Sequence, residues 1–102
     1  MLEVLTTVAK KADASKIANA LVKEKLAVCV SFWKIDSVYR WNGKICRKNE
    51  WHLVLKTQDS FKKPVEIRLR ELHPYELPVI VACSVKVDEK VEQWVKQSVR
   101  KG

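Results

Sequence analysis

Asn42-Gly43 stands between two arms that are each too long for a chain of this size to bury. The pair suits a type I′ turn, whose two central residues need positive φ, which Asn and Gly tolerate best. The incoming arm, Leu26–Trp41, is rich in Val, Ile, Phe and Trp; the return arm runs Lys44–Thr57, with a bulge or bend expected near Lys48-Asn49. At ~3.3 Å per residue the first arm reaches about 50 Å, against a radius of gyration of about 13 Å for a domain of this length. Phe32, Trp33, Tyr39, Trp41 and Trp51 all lie on the arms. Left in water, such a ribbon is both an apolar patch and an open edge. Pairing with further copies of the chain resolves this, so an oligomer is expected.

The flanking segments supply the rest of a domain. Leu2–Val8 reads as a short apolar strand. Ala14–Lys25 reads as a helix with Ile17, Ala18, Leu21 and Val22 as its apolar stripe and Asp13 as its N-cap. A second helix starts near Ser60, carries Pro64 in its first turn and presents Phe61, Val65, Leu69 and Leu72; His73-Pro74 stops it. Leu77–Val87 is apolar on both faces, which predicts a central strand. The last helix, Asp88–Lys101, sets Val91, Trp94, Val95 and Val99 on one side, with acids at its start and Arg100 and Lys101 at its end. The order is β-α-β-β-α-β plus a C-terminal helix, an α+β, ferredoxin-like split βαβ fold over one domain, residues 1–102.

Charge excludes less than it suggests. The net charge is +8, from 20 Lys and Arg against 12 Asp and Glu, but basic residues never run longer than two. Nucleic-acid binders usually concentrate charge on one face, so a nucleic-acid partner is not expected. The alternative of a basic RNA-binding module on this fold needs a Gly and aromatics in the third strand, and Leu53-Val54-Leu55-Lys56-Thr57 has neither. A small hydrolase is the other alternative. Phosphate cradles favour Gly-rich loops, and the only Gly inside the chain is Gly43, in the turn. No catalytic residues are assigned, and no cofactor is required. No apolar run approaches the ~20 residues that cross a bilayer, so no membrane role is expected. Three widely spaced cysteines and a short acidic start fit a reduced, cytoplasmic protein.

The segment Arg70-Glu71-Leu72-His73-Pro74-Tyr75-Glu76-Leu77-Pro78 holds more chemistry than a connector needs. His73 is a metal ligand, an acid or base near Glu76, or a helix C-cap whose imidazole bonds a carbonyl or a neighbouring subunit. Cys29 is either a soft-ion ligand or core packing, and Cys83 is expected in the core. Cys46, beside Arg47 and Lys48, is expected to be exposed and reactive. His52 is expected in a structural place. Tyr39 and Trp41, two apart on a strand, share a face and either stack a planar ligand or meet another subunit. Lys56 either pairs with Glu71 or Glu76 or holds a small anion.

Taken together, these segments resemble the CutA family of divalent-cation tolerance proteins. The resemblance is carried by Thr6-Thr7-Val8, Leu26-Ala27-Val28-Cys29-Val30, Ser37-Val38-Tyr39-Arg40-Trp41-Asn42-Gly43-Lys44-Ile45, Leu55-Lys56-Thr57 and the His-Pro-Tyr-Glu segment, in this order along nearly the whole chain. It departs from the family pattern at Ser31, Gln58 and Val79, and in lacking an Asn-Pro turn before the last helix. The resemblance implies a homotrimer joined through its long hairpins, with an architecture like that of the PII signalling proteins. It implies a link to divalent-metal tolerance, copper above all. By motif it places Tyr39, Trp41, Lys56, His73, Tyr75, Glu76 and Trp94 at clefts between subunits, with His73 and Cys29 as candidate metal ligands.

Overall fold

The computed structural model describes residues 1–101. Four strands, β1 (Leu2–Val8), β2 (Cys29–Trp41), β3 (Lys44–Thr57) and β4 (Val81–Ser84), form one antiparallel sheet in the order β2-β3-β1-β4. Three helices, α1 (Lys11–Lys23), α2 (Lys62–Leu72) and α3 (Glu89–Ser98), complete the ferredoxin-like arrangement. Even-numbered β1 residues Leu2, Val4, Thr6 and Val8 face the buried side with Leu53, Leu55 and Thr57 of β3. Against them pack Ile17 and Leu21 of α1 and Val65 and Leu69 of α2.

The hairpin forms as the sequence predicts, with Asn42 at φ 50° and Gly43 at φ 74°. Its pairing runs without interruption from Cys29 opposite Lys56 to Trp41 opposite Lys44. The expected bulge near Lys48-Asn49 is therefore absent; that stretch stays in register, with Asn49 exposed and Lys48 half-buried. The ribbon sets the long dimension of a molecule measuring 45 × 24 × 21 Å, with a radius of gyration of 14.3 Å.

Several boundaries move for identifiable reasons. α1 begins at Lys11 rather than Ala14, and Asp13 lies inside its first turn instead of capping it. The helix ends in a Schellman motif: Leu26 N–H donates to the Leu21 carbonyl (3.0 Å) and Lys25 N–H to that of Val22 (3.1 Å). Lys25 takes the left-handed position, φ 59°, where Gly is usual. Leu26 and Ala27 are thus buried ahead of β2 rather than paired in it. α2 ends at His73, whose ψ of 131° is the extended value that a following Pro imposes.

The expected central strand Leu77–Val87 is instead the four-residue edge strand Val81–Ser84. Leu77, Val79 and Val81 are all exposed, so their apolarity is not buried within this chain. Cys83, expected in the core, is exposed for the same reason, and Cys46 is half-buried rather than exposed. α3 stops at Ser98, short of Lys101; Asp88 caps its start by accepting from Val91 N–H (2.9 Å). Val95 and Val99 are buried, whereas Trp94 stands exposed.

Candidate functional site

Alternation along the strands sorts the candidate residues before any contact is measured. Tyr39, Trp41, Lys48, Glu50, Thr7, Cys29 and Lys56 occupy the face of the sheet opposite the buried Leu2, Val4 and Thr6. Near the far end of that face, the turn after α2 folds Pro74 and Tyr75 over β3. A cleft of about 600 Å³ opens there, walled by Tyr39 and Trp41 on one side and by Tyr75, Glu76, Leu77 and Val79 on the other.

His73 anchors this turn from beneath. The imidazole is buried, its Nδ1 accepts from Tyr75 N–H (3.1 Å), and its Nε2 lies 3.0 Å from Thr6 Oγ1. Because Nδ1 accepts, the ring proton resides on Nε2 and donates to Thr6, fixing a neutral tautomer. Burial lowers the His73 pKa, against weaker opposing influences from the Thr7 backbone and nearby acids. His73 is the C-cap residue of α2, but its imidazole bonds a hydroxyl and an N–H of this chain rather than the expected carbonyl.

Tyr75, placed by that bond, donates from its hydroxyl to Glu50 Oε2 (2.8 Å). Glu50 is only 6% exposed. Burial pushes its carboxyl up, but hydrogen bonds from Ser37, Tyr75 and Thr7 and the charge of Lys48 outweigh that and hold it below the ordinary value. Lys48 Nζ lies 3.8 Å from Glu50, 4.3 Å from the centre of the Tyr75 ring and 5.7 Å from that of Tyr39. Contact with Tyr75 is the main reason that the Lys48 pKa rises. Burial raises that of Tyr75, keeping the phenol protonated as a donor.

Tyr39, Trp41, Tyr75 and Glu76 therefore meet at one cleft, with His73 behind it. Lys56 does not join them. It shares their face, but six positions along the strand from Glu50, or roughly 20 Å. Among the described residues it makes no ion pair with Glu71 or Glu76, and Glu71 lies instead beside Arg68 (3.9 Å). Trp94 does not line the cleft. Cys29 sits opposite Lys56, on the face away from Thr6 and hence from His73, so these two metal candidates do not form a common site within one chain. Among the described residues no three His, Cys, Asp or Glu side chains gather as an ion cage.

Glu50 and Lys48 are the residues that sequence reasoning missed. Their signal was register: a carboxylate and an ammonium two apart, on the same strand face as Tyr39 and Trp41. His52, two further along, keeps its structural place, stacked on Trp33 with ring centres 4.8 Å apart.

The comparisons with known proteins agree on one family. The family described as CutA1 divalent ion tolerance protein matches residues 2–98. The chain is 35% identical over 99 residues to the chloroplastic protein CutA of Arabidopsis thaliana, covering 95% of this chain but only 54% of that longer protein. It is 32% identical to the divalent-cation tolerance protein CutA of Pyrococcus horikoshii, covering 99% of this chain and 100% of the other. A crystal structure of CutA1 from Pyrococcus horikoshii superposes with a TM-score of 0.95 at 31% identity, over 99% of this chain and 100% of that one.

Proposed function

The chain belongs to the CutA1 divalent ion tolerance family, and on that premise we propose that it is a non-enzymatic homotrimer that binds a small ligand at clefts between subunits. The role is one of metal tolerance exercised in the cytoplasm, with copper as the leading ion and PII-like ligand sensing as the mode of action. The observation that carries this reading is the cleft itself. Aromatic walls, a buried carboxylate and a fixed Tyr75 hydroxyl converge there, and its rim runs straight into uncovered apolar surface.

Exposed Trp41 at the hairpin tip supplies that surface, together with Leu77, Val79 and Val81 at the edge strand. Exposed Val38 and Ile45 add apolar surface on the other face of the ribbon. A monomer gains nothing from exposing them; a second and third copy would cover them. His52 Nε2, buried without a hydrogen-bond partner, supports the same view, since such groups normally find one. Lys56 and Trp94 would reach a cleft only as contributions from a neighbouring subunit.

Copper would reach His73 only by displacing Tyr75 N–H or Thr6, whereas the Cys29 thiol is free. Titration of the reduced protein with copper, followed by native mass spectrometry, tests the direct-ligand form. Uptake in whole multiples per trimer, lost in Cys29→Ser or His73→Ala, is the expected result. A trimer that takes up no copper removes direct ligation and leaves the ligand cleft as the route to tolerance.

A further inference from the structure

The cleft already holds a cation, and it is the protein's own. Lys48 Nζ rests over the face of Tyr75 at 4.3 Å and within 5.7 Å of Tyr39, both inside the ~6 Å at which an aromatic quadrupole attracts an ammonium. Glu50, buried and held ionised, lies 3.8 Å from the same nitrogen. Trp41 stands on the same strand face and lines the same space. Two ring faces, a third aromatic at the rim and one buried carboxylate make an aromatic cage.

We infer that this cage is a binding site for an alkylated ammonium group, with Lys48 as a displaceable resident. The inference rests on the reading of the cleft as a ligand site and names the chemistry of its ligand. Lysine is a replaceable tenant: a primary ammonium is strongly hydrated, and its flexible stem lets the charge return to water when an incoming cation takes its place beside Glu50. The Lys48 side chain is 36% exposed, so that path is open. An alkylated ammonium cannot recover as much from water and gains more from the rings. Charge points the same way. With Lys48 swung out, Arg40 remains against Glu50 and Glu76 among the charged residues lining the cleft, one positive charge against two negative.

The test uses the intact protein and tetramethylammonium as the probe. In the wild type, the ε-methylene protons of Lys48 are shifted upfield by the Tyr75 ring, and adding the probe returns them to their free position. Lys48→Ala vacates the cage and tightens probe binding by roughly threefold to thirtyfold. Adding Tyr39→Leu to Lys48→Ala reverses that gain, which a bare carboxylate would not explain. Ammonium ion in place of the probe binds more weakly to Lys48→Ala. The inference is overturned if Lys48→Ala leaves probe affinity unchanged or lower, or if ammonium binds as well as tetramethylammonium. Native mass spectrometry of the same samples separates the two levels. A trimer without probe binding sinks the cage alone, whereas a monomer sinks the inter-subunit reading.

Discussion

The two ends of the β2–β3 hairpin obey the same strand chemistry and meet opposite fates. At the base, Leu53 and Leu55 are fully buried beneath α1 and α2, and Thr57 donates from its hydroxyl to the Leu26 carbonyl (2.7 Å). At the tip, Val38 is 63% and Ile45 65% exposed. Nothing in the pairing distinguishes the two, because the register is continuous throughout. The difference lies in what stands on either side of the ribbon. The base is a part of this chain's core, and the tip is an apolar surface without a cover of its own. One end specifies the fold, and the other is the surface that the proposed assembly would cover.

The largest expected effect comes from breaking the base. Leu53→Ala removes a fully buried side chain and should cost about 2–5 kcal/mol in urea unfolding. Ile45→Ser at the tip should change the stability of the single chain by no more than about 0.5 kcal/mol. Its effect should appear as dissociation in sedimentation velocity. Equal losses of stability at both ends would break the distinction.

Next in size is the contact that ties the cleft turn to the hairpin midway along. Glu50→Ala leaves the Tyr75 hydroxyl and Lys48 without their partner and should cost about 1–3 kcal/mol. The Lys48 ε-proton shifts should move at the same time, since the ammonium loses the carboxylate that draws it towards the ring. An unchanged spectrum would show that Glu50 does not hold the cage together.

A pH dependence sharpens the comparison from the side of His73. Its pKa is depressed in the folded state, so the unfolded chain takes up the proton first as pH falls through 6.5. Stability is fully present above that value and declines until the folded-state pKa is passed. Protonation in the folded protein requires Nδ1, which displaces Tyr75 N–H and loosens the turn that walls the cleft. Urea midpoints measured across this range should fall for the wild type and stay flatter in His73→Gln.

The smallest effects concern two of the three residues held at positive φ, Gly43 and Lys25. Gly43→Ala meets no atom within 4 Å, so its cost of about 1 kcal/mol is that of the backbone alone. Lys25→Gly, by contrast, should stabilise the chain by up to about 1 kcal/mol, because it relieves a left-handed lysine. Thermal unfolding of both variants reads the opposite signs.

That second site also explains one limit of sequence reasoning. The end of α1 was obscured because Lys25 occupies the position where Gly would announce a helix cap, so Leu26 read as strand. The hairpin was legible because Asn42-Gly43 has few competing meanings, and the end of α2 because Pro74 dictates it. Leu77–Val87 misled because apolarity on both faces predicts burial without saying by which chain. Tyr39, Trp41, Tyr75 and Glu76 were legible as a group through motif and alternation. Glu50 and Lys48 were not, since a charged residue on a polar strand segment looks solvated until the turn bearing Tyr75 is folded over it.

Sedimentation equilibrium of the wild type beside Ile45→Ser, under reducing conditions, tests most directly whether the tip exists for assembly. The wild type should run at three times 11.8 kDa and the variant should shift towards 11.8 kDa with its fold intact. A wild type that remains at 11.8 kDa at every concentration would contradict both the trimer and the cleft between its subunits.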